Sequence, residues 1–211
     1  IARRLNARGV GVRIFDRRED RKVTYEILGD NAAQVDWRVG DVTSLYEVSR
    51  ASEGCDFVIH LAALLTPACR ENPISGVQVN LIGTLNVFEA AKESGLRGVA
   101  YASSAGVFGP EDGKIPFPMT LYGAFKLACE GAARAYWHDT GMPSIGFRPL
   151  VVYGPGREVG MTAGPSIACR EAAAGRPYTI GFSGSTDMIF VDDVAAAFEA
   201  AAVKPFEGAH V

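Results

Sequence analysis

The sequence predicts an α/β protein built on a doubly wound parallel sheet. Three observations carry that expectation: strand-like and helix-like segments alternate, the connectors between them are short, and the strands read as near-continuous apolar runs of the kind buried on both faces. The 211 residues are 48% hydrophobic, 21% charged and 9% aromatic, with no change of composition midway, which suits one domain able to bury a sizeable core. A formal net charge of −3 gives no general attraction to nucleic acid or anionic lipid, so any phosphate must be met by local groups. No apolar run approaches the roughly 18 residues of a membrane span. Cys55, Cys69, Cys129 and Cys169, with His60, His138 and His210, show neither metal-ligand spacing nor a disulfide framework. The expectation is a soluble, reduced, cytoplasmic protein that binds neither nucleic acid nor membrane.

Residues 1–9 read as the last turns of a helix closed by Gly9. Strands are expected at 10–15, 34–39, 57–62, 98–102 and 144–152, and helices at 44–53, 74–94 and 121–140. In the second of these helices Val77, Leu81, Leu85 and Phe88 form one apolar stripe. Beyond residue 154 the chain is richer in Gly and Pro. There a helix at 164–174, short strands at 178–182 and 187–191, and a helix at 193–203 are expected, with Asp192 and Asp193 as its caps. The last residues, from Gly208, look like the start of a strand without a partner. The chain therefore divides into a doubly wound part, 1–153, and a small substrate-side lobe, 154–211. It begins with Ile1, and both ends look interrupted, which predicts a fragment of a longer chain lacking a first strand and its glycine turn.

In a doubly wound sheet, ligands sit beyond the carboxyl ends of the strands, so chemistry is sought there. Asp16 closes the first strand, where a carboxylate can accept from ribose hydroxyls and repel the extra phosphate of NADP; Arg17 and Arg18 keep NADP open. Asp41 can accept from an adenine amino group or cap the helix near Ser44. After the third strand, small residues at Ala62 and Ala63 let a cofactor approach the backbone, while His60 reads as a packed, hydrogen-bonded histidine. Ser103 and Ser104 end the next strand, and Tyr122 and Lys126 open the following helix, four residues apart and so on one face. A free phenol has a pKa near 10, and a neighbouring ammonium or a cationic nicotinamide would push it down into the range of a usable base. That offset is common by chance, and its force comes from following a strand-end serine by 18 residues within an alternating α/β chain. The glycines at 154, 156 and 160 imitate a phosphate loop, but Pro155 removes a donor and no helix follows directly, so this segment reads as a turn.

Taken together, Asp16, Gly40-Asp41-Val42, His60-Leu61-Ala62-Ala63, the run 79–87 with Asn80, Ser103-Ser104, Tyr122 with Lys126, Arg148-Pro149, the run 152–157 and Val191-Asp-Asp-Val194 resemble the extended short-chain dehydrogenase/reductase family, specifically its NAD-dependent epimerase/dehydratase group. The resemblance implies a Rossmann-like fold with NAD as cofactor, NADP less so. It implies that Tyr122 is the acid/base, that Lys126 holds the nicotinamide ribose and lowers the Tyr122 pKa, and that Ser104 bonds the reacting oxygen. Asp16, Asp41, Val42, Leu61, Ala62, Ala63 and Asn80 would form or brace the cofactor cleft. It also implies a carbohydrate-type substrate and a homodimer packed through the helices at 74–94 and 121–140. Ala105 and Gly106 stand where the family's dehydratases carry an acidic pair, which disfavours elimination of water. Leu150, Val151 and Thr186 stand where many nucleotide-sugar enzymes carry diphosphate contacts. The reading is an NAD-dependent oxidoreductase or epimerase acting on a secondary alcohol of a sugar or sugar-derived acid. Its rival is a non-catalytic dinucleotide sensor of the same fold.

Overall fold

A computed structural model describes residues 1–110, 113–160 and 162–211. Helix α1 (Ala2–Ala7) leads into β1 (Arg13–Asp16), followed by α2 (Arg21–Leu28), a 3-10 stretch, β2 (Asp36–Val39) and α3 (Leu45–Ser52). Next come β3 (Val58–His60), α4 (Thr66–Glu71), α5 (Pro73–Val77), a π-helical turn at Gln78–Ile82 and α6 (Gly83–Glu93). The chain continues through β4 (Val99–Ala102), α7 (Leu121–Thr140), β5 (Ser144–Phe147) and β6 (Val151–Tyr153). It ends with α8 (Gly164–Ala173), β7 (Met188–Phe190), α9 (Val191–Val203) and β8 (Ala209–His210).

Among the described residues, these strands pair in parallel throughout. Strands β3, β4, β5 and β8 form one sheet in that order, while β1–β2 and β6–β7 form separate two-stranded sheets. The pleat of β4 explains why both faces are covered. Val99 and Tyr101 pack into a core with Val87, Phe88, Ala91, Cys129 and Ala133 from α6 and α7, whereas Ala100 and Ala102 meet Phe198 and Ala201 of α9 on the other face. Helix α1 is fastened to α9 by ion pairs from Arg4 and Arg8 to Glu199 and from Arg3 and Arg4 to Asp192.

Several expectations are corrected. The single strand over 144–152 is two strands in different sheets, because Pro149 has no amide to donate to a ladder. The single helix over 74–94 is α5, the π turn and α6. No strand forms at 178–182, whereas α2 and α4 were not expected. The first strand begins at Arg13 and the second at Asp36, each later than its apolar pattern. The terminal strand does find a partner, pairing Ala209 with Ser144 and His210 with Ile145. Among the described residues, neither Asp192 nor Asp193 caps α9 through its side chain; Asp192 is taken by α1.

Candidate active site

The carboxyl ends of β3 and β4 and the N-terminus of α7 converge on one site. Thr120 caps α7, its hydroxyl oxygen accepting from the Gly123 amide at 3.0 Å, which fixes where the helix and therefore Tyr122 begin. A Cβ on Gly123 would collide with the Gly106 carbonyl oxygen, so the first turn of α7 lies directly on the 3-10 turn Ala105–Val107 that follows Ser104. Seen from Gly106, a Cβ would sit 3.2 Å from Ser104 Oγ and 3.9 Å from Tyr122 Cδ1. Serine and tyrosine are thus neighbours. Ser104 Oγ also accepts from the Gly106 amide at 3.0 Å, which aims the hydroxyl.

Lys126, one turn further along α7, is buried. Its Nζ donates to the Ala102 carbonyl at 2.6 Å and lies 5.7 Å from the Tyr122 ring centroid. Burial pushes its pKa down. Burial likewise pushes the Tyr122 phenol above its ordinary value, while the Ser104 hydroxyl and the charge of Arg157 pull the other way. The expected net depression of the phenol pKa is therefore not found in the chain by itself: loss of hydration outweighs the neighbours that favour phenolate.

Asn80 braces this site. It is fully buried in the π turn, where its side-chain oxygen accepts from the Leu64 amide at 2.7 Å and its nitrogen donates to the Leu64 carbonyl at 2.9 Å. The Asn80 carbonyl accepts from Thr84 Oγ1 at 2.7 Å and from the Cys129 thiol at 3.2 Å, so this oxygen of the π turn is not orphaned. With its own proton given to Asn80, Thr84 Oγ1 accepts from His60 Nε2 at 3.0 Å, which assigns the Nε2–H tautomer. Burial pushes His60 down to about 3, as suits a packed neutral histidine. Of the cofactor-cleft residues on this loop, Leu61 and Ala62 are exposed and Ala63 half-buried.

The second group lies at the ends of β1 and β2. Asp16 is exposed, and its carboxylate accepts from the Arg18 amide at 3.2 Å. Asp41 accepts from both the amide and the hydroxyl of Thr43, at 2.9 and 2.8 Å, and faces Arg17 at 3.5 Å; the Thr43 bonds hold its pKa down. Ser44, not Asp41, caps α3. The Val42 side chain is buried against Gly83, and its carbonyl accepts from Asn86 at 2.9 Å.

Two residues escaped the sequence reading. Arg157, known only as part of a motif, carries charge toward Tyr122, donates to Thr162 Oγ1 at 3.2 Å, and has a buried Nε without a partner among the described residues. Glu130 is fully buried, accepting from Ser103 Oγ at 2.5 Å and from Arg148 at 2.8 and 2.6 Å. Its signal was the continued spacing of four beyond Tyr122 and Lys126.

With this geometry in place, the comparisons decide the family. A family model described as the NAD dependent epimerase/dehydratase family matches residues 1–211. The chain belongs to that family. It is 34% identical over 170 residues to a probable UDP-glucuronate 4-epimerase of Rhizobium meliloti, an alignment covering 72% of this chain and 49% of that protein. It is 32% identical over 137 residues to 3 beta-hydroxysteroid dehydrogenase type 7 of Homo sapiens, covering 57% and 37%. The crystal structure of Thermus thermophilus UDP-glucose 4-epimerase in complex with NAD superposes with a TM-score of 0.81 at 28% identity, covering 98% of this chain and 71% of that one. The chain spans about half or less of the length of the curated relatives it matches. The Rossmann-like expectation for the fold holds. Among the described residues, no helix is long and apolar enough to cross a membrane.

Proposed function

We propose that the protein is an NAD-dependent oxidoreductase or epimerase acting on a secondary alcohol of a sugar or sugar-derived acid. The observation that carries this reading is the convergence of Tyr122, Ser104 and Lys126 at the end of β4. The residues present fit a dinucleotide. Asp16 and Asp41 offer carboxylates at two adjacent strand ends, and small residues at 62, exposed, and 63, half-buried, leave the backbone approachable. When bound, the nicotinamide supplies hydride exchange at the carbon bearing the hydroxyl.

The remaining chemistry belongs to this chain. Tyr122 Oη accepts the substrate hydroxyl proton, and Ser104 Oγ bonds the same oxygen and steadies the phenolate. Lys126, held on the Ala102 carbonyl, keeps a positive charge beside the ring and presents its ammonium to a ribose. The charge of Arg157 toward Tyr122 favours an anionic substrate, a sugar acid or a phosphorylated sugar, over a neutral one. Ala105 and Gly106 provide no acid or base, so water elimination is not part of the reading. Two protomers joined through the exposed small residues of α7, Ala128 and Ala135, complete it, and sedimentation velocity tests that assembly.

The test is NADH formation and interconversion of epimers against a panel of nucleotide sugars, free sugars and aldonic acids, with NAD binding measured alongside. Tyr122→Phe is expected to lower turnover by about a hundredfold or more while leaving NAD binding in place; turnover that survives Tyr122→Phe overturns the reading. Binding without turnover on the whole panel selects the dinucleotide sensor instead.

A further inference from the structure

Tyr122, Lys126 and Glu130 stand four residues apart, so they share one face of α7. Each meets the end of β4 in its own way. Tyr122 neighbours Ser104, Lys126 Nζ holds the Ala102 carbonyl, and the Glu130 carboxylate receives the Ser103 hydroxyl at 2.5 Å. The contacts from the helix therefore fall on three consecutive residues, 102, 103 and 104. Glu130 is also the point at which a third element is tied in. Arg148, just beyond β5, donates to both carboxylate oxygens at 2.8 and 2.6 Å, and its guanidinium lies 4.8 Å from the Phe108 ring centroid. The next residue, Pro149, accepts from the Ala105 amide at 3.1 Å. Ser104 is thus flanked on one side by a residue bonded to Glu130 and on the other by a residue bonded to the chain beyond Arg148.

We propose that Glu130, through Ser103 and Arg148, is a positioning residue that sets the placement of Ser104 against the Tyr122 phenol. The inference rests on the Tyr/Ser/Lys reading above and deepens it: Glu130 touches no reacting atom, and its effect is on where the serine hydroxyl points. Fully buried carboxylates tolerate little movement, because every lone pair must find a donor again at the new position. An acid bonded in this way fixes the register of helix against strand, and the neighbouring serine inherits that register.

Ser103→Ala is the decisive variant, since it removes the helix-to-strand rung and leaves the Glu130–Arg148 ion pair intact. The chain is labelled with carbon-13 at tyrosine Cζ, and the resonance lost in Tyr122→Phe is that of Tyr122. Ser104→Ala gives the position of this resonance without the serine contact. Ser103→Ala is expected to move it part-way in the same direction, and Ser103→Thr, which keeps the hydroxyl, to return it toward the parent. Where turnover is measurable, kcat in Ser103→Ala falls roughly tenfold to a hundredfold with KM within about twofold, the mark of a misplaced rather than a missing group. An unmoved Tyr122 resonance in folded Ser103→Ala overturns the proposal and leaves Glu130 as a structural ion pair. The resonance experiment needs neither cofactor nor substrate, so it separates this failure from that of the enzymatic reading, which falls if Tyr122→Phe leaves turnover intact.

Discussion

The two candidate halves of the cleft are built on opposite principles. At the β4–α7 end, Lys126, Glu130, Asn80, His60 and Ser103 are all buried polar groups, and each has a named partner. At the β1–β2 end, Asp16 and Arg17 stand in solvent, and Arg17 meets Asp41 only across an open pair. Burial makes an unmade hydrogen bond expensive, and this leaves the first region one geometry. Water satisfies the second region at any geometry, so in the proposed reading it discriminates by charge. Chemistry that depends on fractions of an ångström suits the first, and recognition of a ribose against a phosphate suits the second.

The comparison breaks first if the buried region proves soft. Arg148→Ala leaves the Glu130 carboxylate buried and unpaired, and is expected to cost about 3–5 kcal/mol in urea unfolding; a loss no larger than that of a surface pair would remove the distinction. Next comes Tyr122→Phe, whose expected loss of about a hundredfold in turnover should leave the unfolding midpoint near that of the parent. Asn80→Ala strips the Leu64 amide and carbonyl of their partners, at about 1–3 kcal/mol, and hydrogen exchange at Leu64 should quicken. His60 adds a pH dependence with a definite sign. Its folded pKa of about 3 lies below the usual 6.5, so its contribution is fully present above pH 6.5 and is lost as pH falls toward 3. The slope is at most about 1.4 kcal/mol per pH unit, and His60→Gln should flatten it. The smallest effect belongs to the open region. Asp41→Asn, which weakens the exposed pair with Arg17, is expected to change stability by less than about 1 kcal/mol, yet to raise the affinity for 2′-phosphorylated adenosine relative to adenosine as Arg17 is released.

Much of this contrast was legible in the chain itself. Alternating apolar runs gave the parallel strands and the helices around them, because a strand buried on both faces has few other compositions open to it. Tyr122 and Lys126 were legible because a helix turns single spacings into shared faces. Tertiary competition was harder to read. Residues 144–152 have the composition of one strand, and only the missing donor at Pro149 divides them. Residues 74–94 keep one apolar stripe through the π turn, so the pattern conceals the local change at Asn80. The direction of the Tyr122 shift was misjudged because sequence offers neighbours and not burial. Glu130 was passed over because an isolated glutamate on a long helix usually faces solvent, and its partners lie in two other elements.

The contact between Gly123 and the Gly106 carbonyl carries a lesson for anyone trying to toughen this fold. Replacing a helical glycine by alanine is among the first substitutions a stabilisation campaign tries, for the gain in propensity. Here the added methyl would have to lift the start of the helix off the turn beneath it. The loss of that packing outweighs the gain in propensity, so stability and an aligned phenol make the same demand at this position, and a library that scores heat resistance alone would keep the glycine.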